Sequence, residues 1–401
     1  MKKILLTTVA LLSMASASVF GMYGVDSDWI DFLTHGNQFR ARFEQLGFTL
    51  GNDTIKGTFG FDSPDTLGAI LQTKYEQDGS GQPVANTPQR ADFFPNISAG
   101  IGYTSSLIGI GVGYTISIKD QWRGVDGKAH QQAAHTPTLV LNALDNNLRI
   151  AIPIQVFHTT GLASGFSYGT PGQTSDNTNT ISAVSLDAQF RYYTGMDILT
   201  QIRLYIRYGH LEFESKTAST TQKNKYDSFG FDFRLYFASM VEEVALTPFF
   251  KFQYNTALDK YLGNKSITAV GVARNVTTYN GQRNLSAPRY DKNPYTIAIL
   301  PTLGLTANSD IVSIYVEPSL GLKIEDAGYN NQKVMVGLGW GVYGEIYVTP
   351  IKNLEWYLEL ELGNTTDYNT ESSITSPDYY NANRSMNINA STGITWYLPA
   401  L

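Results

Sequence analysis

The chain has 401 residues, 16% charged and 42% apolar, with 36 Gly, 25 Tyr, 20 Phe and no Cys. Soluble proteins are about 25% charged, so a chain this poor in charge, yet not oily, does not suit two or three packed soluble domains; its aromatic and β-branched residues are too plentiful for disorder. A formal net charge of −6 excludes a generally basic nucleic-acid binder, and the lack of Cys excludes disulfides, thiolate metal sites and a lipidated N-terminal Cys.

Residues 1–21 have the layout of an export signal peptide. Lys2 and Lys3 open it, an apolar run from Ile4 to Met14 follows, and Ala15, Ser16, Ala17, Ser18 and Gly21 form a small-residue exit. The run is too short to cross a bilayer. Cleavage is expected after Gly21, with Ala17 as the alternative. No later stretch approaches the about 18 apolar residues of a spanning helix, so any further crossing is not helical.

Residues 22–53 form an N-terminal segment that is either a plug or the first strands. Asp26-Ser27-Asp28 starts like a calcium loop, but no Gly and Glu follow at the required spacing. Gln38 to Leu50 reads as one strand, with Phe39, Ala41 and Phe43 alternating with Arg40, Arg42 and Glu44. Such a strand needs a partner among 22–37, or that stretch is threaded through a lumen.

Strict alternation governs the rest, 54–401. Ile108, Ile110, Val112, Tyr114, Ile116 and Ile118 interleave with Gly109, Gly111, Gly113, Thr115, Ser117 and Lys119. Phe229, Phe231, Phe233, Leu235 and Phe237 interleave with Gly230, Asp232, Arg234 and Tyr236, and similar strands run to Met386–Leu398. A period of two means strands with one apolar face. Short turns near 105–107, 145–147, 194–197, 238–243, 308–310 and 349–353 alternate with long polar connections near 62–95, 120–136, 158–180, 214–226, 255–294 and 363–385. That asymmetry predicts an all-β fold, a transmembrane antiparallel β-barrel of about 14–16 strands with short periplasmic turns and long extracellular loops. Pro248, Pro301 and Pro318 fall inside strand patterns, where proline is costly. A soluble secreted β-protein is the alternative, but it would not need an apolar face along every strand.

Gly21-Met22-Tyr23-Gly24, Asp28-Trp29-Ile30, Gly36-Asn37-Gln38-Phe39-Arg40-Ala41-Arg42, the stretch Gly51 to Phe61, and the runs Gly100 to Thr104 and Gly109 to Tyr114 resemble the variable surface proteins of Brachyspira spirochaetes. The resemblance is specific over the first 115 residues or so and architectural beyond. It implies a surface-exposed outer-membrane protein made in sequence variants and seen by host antibodies, with no catalytic motif to carry over. Outer-membrane lipid, the barrel-assembly machinery and further copies in a homo-oligomer are the other expected partners; nucleic acid is not.

Gly109-x-Gly111-x-Gly113 lies inside a strand with no helix after it, so it is not a phosphate loop. Glycines 100, 102, 109, 111 and 113 are expected to leave the inner wall bare, for a plug or a neighbouring tyrosine, and Gly111→Ser to be tolerated. His35, His130, His135, His158 and His210 have no partner fixed for general-base work, so no catalytic residue, metal or cofactor is assigned; an outer-membrane barrel enzyme is the remaining alternative. Tyr103, Tyr114, Tyr192, Tyr208, Trp340, Trp356 and Trp396 are expected in interface girdles on the outer face. Arg191, Arg203, Arg207, Asp232, Arg234, Glu355, Glu359 and Glu361 are candidate lining of the lumen. They set a basic wall against an acidic one in a porin-like diffusion channel, or pair locally, as Asp187 with Arg203, in a closed scaffold that only displays loops.

Overall fold

The computed structural model describes residues 28–42, 45–62, 95–123, 129–163, 178–216, 221–241, 244–258, 291–364 (save 327, 329 and 332) and 387–398. The export signal and most of the connections at 62–95, 255–294 and 363–385 lie outside the described residues. One antiparallel sheet holds β1 (Gln38–Arg42), β2 (Gln45–Gly51), β3 (Ile55–Asp62), β4 (Asn96–Thr104), β5 (Ile108–Arg123), β6 (Ala129–Ala143), β7 (Leu148–Ala163), β8 (Thr178–Tyr193), β9 (Leu199–Lys216) and β10 (Thr221–Phe237). It continues through β11 (Ser239–Val241), β12 (Val244–Ala257), β13 (Tyr295–Asn308), β14 (Val312–Asp326), β15 (Met335–Ile351), β16 (Leu354–Gly363) and β17 (Asn387–Tyr397). Both β10 and β11 pair with β12 and make one stave broken at Ala238, so the segments give sixteen staves.

Each stave pairs with its chain neighbours, and β1 closes the ring: Gln38 lies opposite Thr49 of β2 on one side and Tyr397 of β17 on the other. Closure is what hydrocarbon demands, because an edge strand would leave amides unpaired. The even count is reached differently from the sequence expectation. Gln38–Leu50 is two antiparallel staves rather than one, Gln38–Arg42 and Gln45–Gly51, and among the described residues no partner strand is drawn from 28–37. The described residues before β1, from Asp28 on, instead lie inside the barrel, where Asp28–Asp31 makes one turn of 3₁₀ helix. Pro301 and Pro318 do sit within strands, and the β13–β14 ladder lapses beside both, with no pairing between Ile299 and Thr302 or between Thr302 and Leu305.

The staves are longer than the apolar alternation suggests. The connections read at 120–136, 158–180 and 214–226 shrink to 124–128, 164–177 and 217–220, because pairing runs on past the point where side chains turn polar. On β9 the outward series Ile202, Leu204, Ile206, Tyr208 gives way to His210, Glu212 and Glu214. On β10 the facing series from Leu235 to Phe229 gives way to Asp227 and Lys223. From Leu199 to Tyr208, at a rise of about 3.4 Å and a tilt of about 40°, the wall climbs about 25 Å, the height of a hydrocarbon band. Above Tyr208 the outer face is a polar network: Tyr208 donates to Asp227 Oδ1 (2.6 Å), His210 Nδ1 also meets that oxygen (2.7 Å), and Lys223 pairs with Glu212.

Every predicted girdle residue occupies an outward position. Tyr103, Tyr192, Trp356 and Trp396 lie within a few residues of the short turns, whereas Tyr114, Tyr208 and Trp340 lie higher on their strands. Between them the outward apolar side chains are broadly exposed, as Ile101 at 59% and Leu338 at 61%, while inward Ser98 and Thr395 are at 0%. Apolar surface of this extent is unsuited to water and requires lipid. Leu204, opposite Phe233, stands near mid-height of the band, so Leu204→Arg should cost about 2–4 kcal/mol and Ile110→Arg, three residues from its turn, about 0–1 kcal/mol. Urea titration of folded protein in detergent or lipid, read by heat-modifiable gel mobility, checks this; equal losses at both positions would contradict the depth assignment.

Candidate functional site

The lumen is occupied at the short-turn end by the N-terminal turn. Trp29, Ile30, Phe32 and Leu33 are 0–2% exposed and form, with Val140 and Ala151, the hydrophobic cluster among the described residues. Trp29 and Phe32 meet edge to face, centroids 5.7 Å apart. Their seat is the glycine wall of β4 and β5. A Cβ built on Gly100 or Gly113 would strike the Trp29 indole, and on Gly102, Gly109 or Gly111 would press on Leu33, with Phe32 also met at 102 and 111. Gly111→Ser is therefore not neutral: a Cβ there would lie 3.2 Å from Leu33 and 3.3 Å from Phe32. The bare wall is a mould for three apolar side chains of the plug.

Polar contacts fix the turn at both ends. Asp31 grips the adjacent staves β7 and β8, accepting from Arg149 Nη1 through Oδ1 (2.7 Å) and from Arg191 through Oδ2. On the other side His35 O accepts from Lys56 Nζ, His35 Nδ1 meets Gln38 Nε2 at 3.0 Å, and Asn37 Oδ1 accepts from Gly51 N (2.8 Å). Burial opposes charge on Asp31, yet Arg191 and Arg149 outweigh it and hold the carboxyl well below its usual range. Burial, aided by Arg40, pushes His35 down from 6.5 to about 3, so its imidazole is neutral when docked.

The candidate lining residues project inward. Arg191 (β8) and Arg203 (β9) face each other, Asp187 faces Arg207, and Arg234 (β10) faces Arg203. The local pairing is thus Asp187 with Arg207 (3.5 Å) rather than with Arg203: the strands align 187 with 207, four residues along β9 from the expected partner. Asp232 pairs with Arg234 (2.6 Å) and accepts from Gln253 (3.0 Å). Glu355, Glu359 and Glu361 lie on β16, the fifteenth stave against the eighth and ninth of the basic side, so the two groups stand nearly opposite in the ring. The acidic side is dressed in phenols: Tyr315 donates to Glu317 (2.7 Å), and Tyr343 and Tyr347 both donate to Glu345. Sequence reasoning did not single out Asp31 or the plug aromatics, since a single turn has no periodicity to detect. Of the other sequence candidates, Glu44 and the side chains of Arg42 and His130 lie outside the described residues, and His135 faces outward, bonded to Tyr114.

A closed sheet, apolar toward lipid and charged toward a plugged lumen, defines a transmembrane β-barrel of the outer-membrane kind. The chain belongs to the Serpulina hyodysenteriae variable surface protein family, whose description matches residues 2–397, and it is accordingly a surface-exposed outer-membrane protein. No curated protein matches it. Among solved structures it is similar to a bacterial polysaccharide outer membrane secretin (10% identity, 88% of this chain and 91% of that one, TM-score 0.44). It is also similar to a loop L8 deletion mutant of OmpT, an outer membrane protein of Vibrio cholerae (9%, 90% and 97%, 0.34), and to the copper transporter OprC (11%, 90% and 64%, 0.39).

Acid should loosen the plug. An undocked His35 takes up a proton near its ordinary 6.5 while the docked one does not until about 3, so the undocked form binds more protons and docking weakens as pH falls through that window. Asp31 adds in the same direction at the acid end, since its docked carboxyl is the stronger acid. Hydrogen exchange of the amides of 29–35 should quicken from pH 6.5 toward 4 (after correction for the intrinsic rate), and Gly113→Val should release them at every pH. Protection that is flat with pH would refute the linkage.

Proposed function

We propose that this barrel displays the connections spanning 63–94, 259–290 and 365–386 to host antibodies, and that its lumen is a water-filled diffusion path for small solutes. The observation that carries the second half is a set of inner-wall hydroxyls with no protein partner. Ser117 Oγ, Thr138 Oγ1, Ser185 Oγ and Thr296 Oγ1 are buried without a protein partner; buried hydroxyls require one, and in a lumen water supplies it. A cavity of about 50 Å³ lined by Lys251, Glu317, Tyr343 and Glu361 holds room for such water. A barrel of sixteen staves is also the size that encloses an aqueous channel. The competing reading, a closed scaffold, draws on the local pairs Asp187–Arg207, Asp232–Arg234 and Lys323–Glu325 (2.9 Å).

Display is tested on intact cells. Added protease should cut within 63–94, 259–290 or 365–386 and spare the turns at 144–147 and 309–311, because the long connections all leave the end opposite the short turns. Cutting at the short turns in unbroken cells would reverse the orientation.

The channel is tested by conductance of purified, folded protein in planar bilayers. Neutralising Glu355, Glu359 and Glu361 together should move the reversal potential across a salt gradient toward anions, because fixed negative charge on one wall favours cation entry. Absence of conductance would leave display alone.

A further inference from the structure

Sheet register assembles something that no single strand contains. Arg149 lies opposite Arg191, Arg191 opposite Arg203, Arg203 opposite Arg234, and Arg234 opposite Lys251. One inward row across five adjacent staves is therefore entirely cationic. Like charges directly opposite one another destabilise a sheet, and neighbouring rungs stand only about 4.8 Å apart, so fold stability alone does not account for the row.

The chain itself shows what the row accepts. Asp31 places one carboxylate across two rungs, an oxygen to Arg149 and the other to Arg191. A guanidinium fork suits carboxylate and phosphate oxygens in this way. Beyond those rungs Arg203 carries the least compensated charge. Arg203 is 2% exposed; its Nε donates to Gln201 (2.9 Å), its guanidinium lies 4.4 Å from the Tyr236 ring, and its Nη2 has no hydrogen-bond partner. Arg234 shares Asp232, and Lys251 lines the lumenal cavity with Glu317 and Glu361. Glu317, already accepting from Tyr315, is a carboxylate on that cavity's wall.

We propose that Arg203, Arg234 and Lys251, continuing the row whose first two rungs the plug carboxylate already occupies, form a binding track for small multivalent oxyanions, carboxylates or phosphates, along the lumenal wall. The spacing of rungs favours a ligand with two or more anionic groups over a monovalent ion. This rests on the lumen being a conducting path.

The test uses the full-length protein in planar bilayers. Wild type should pass chloride in preference to potassium, and citrate or inorganic phosphate added on one side should reduce the chloride current saturably, citrate at the lower concentration. Arg203→Gln with Lys251→Gln should raise the half-blocking citrate concentration by about ten-fold or more, since two charge-assisted contacts are lost, and heat-modifiable mobility shows whether the variant has folded. If it has not, Lys251→Gln alone, at a half-exposed position, serves the same comparison. A channel that prefers potassium, or that citrate blocks equally in wild type and variant, overturns the track while leaving the diffusion path standing. A folded protein that does not conduct overturns both.

Discussion

Everything in this fold follows from the double pairing of a five-residue strand. β1 is bonded to β2 along one edge and β17 along the other, and without it two strands would present unpaired amides to hydrocarbon, at several kcal/mol each by order of magnitude. The seam is reinforced from within, since Leu398 N donates to Asn37 O just outside the β1–β17 register and Asn37 Oδ1 accepts from Gly51 N. The residue that leads the plug segment into the wall thus also ties the first and last strands together. Ring closure and plug placement are one structural event.

The plug in turn explains the oddest feature of the wall. A strand rich in glycine is weak on its own terms, losing packing and gaining chain entropy. In β4 and β5 the loss is offset because the missing side chains are replaced from the lumen by Trp29, Phe32 and Leu33. An apolar core has been moved inside a barrel that otherwise lines itself with polar groups. Asp31 then joins this core to the neighbouring basic staves β7 and β8, so the turn is held against one side of the bore.

The sequence disclosed what the membrane dictates and little beyond. Lipid imposes a period of two on every stave, so the barrel, its outward aromatics and the inward parity of Arg203 or Glu359 were legible residue by residue. Where a strand leaves the lipid the constraint ends, although hydrogen bonding does not, and the upper ends of β9 (214–216) and β10 (221–226) therefore read as loop. The break of Gln38–Leu50 into two staves was hidden because five residues are too few to show a reversal. The glycine wall was visible, but its occupant was not: one turn of 3₁₀ helix carries no pattern. The cationic row was beyond reach for another reason. Arg149, Arg191, Arg203, Arg234 and Lys251 become neighbours only through the registers of four strand pairs, and turns of unequal length conceal that alignment.

The polar collar above the lipid band separates two demands on one chain. The hairpin of β9 and β10 stays in register up to Lys216 and Thr221, well past Tyr208 and Phe229, where the apolar face stops. Chain reversal at that end therefore begins from a preformed ladder standing in water, and residues beyond it are not needed to satisfy any amide in lipid. Lengthening such a reversal costs only loop-closure entropy, about 0.6 kcal/mol for each doubling. A lineage can rewrite the tips of this barrel while the part that must insert stays the same.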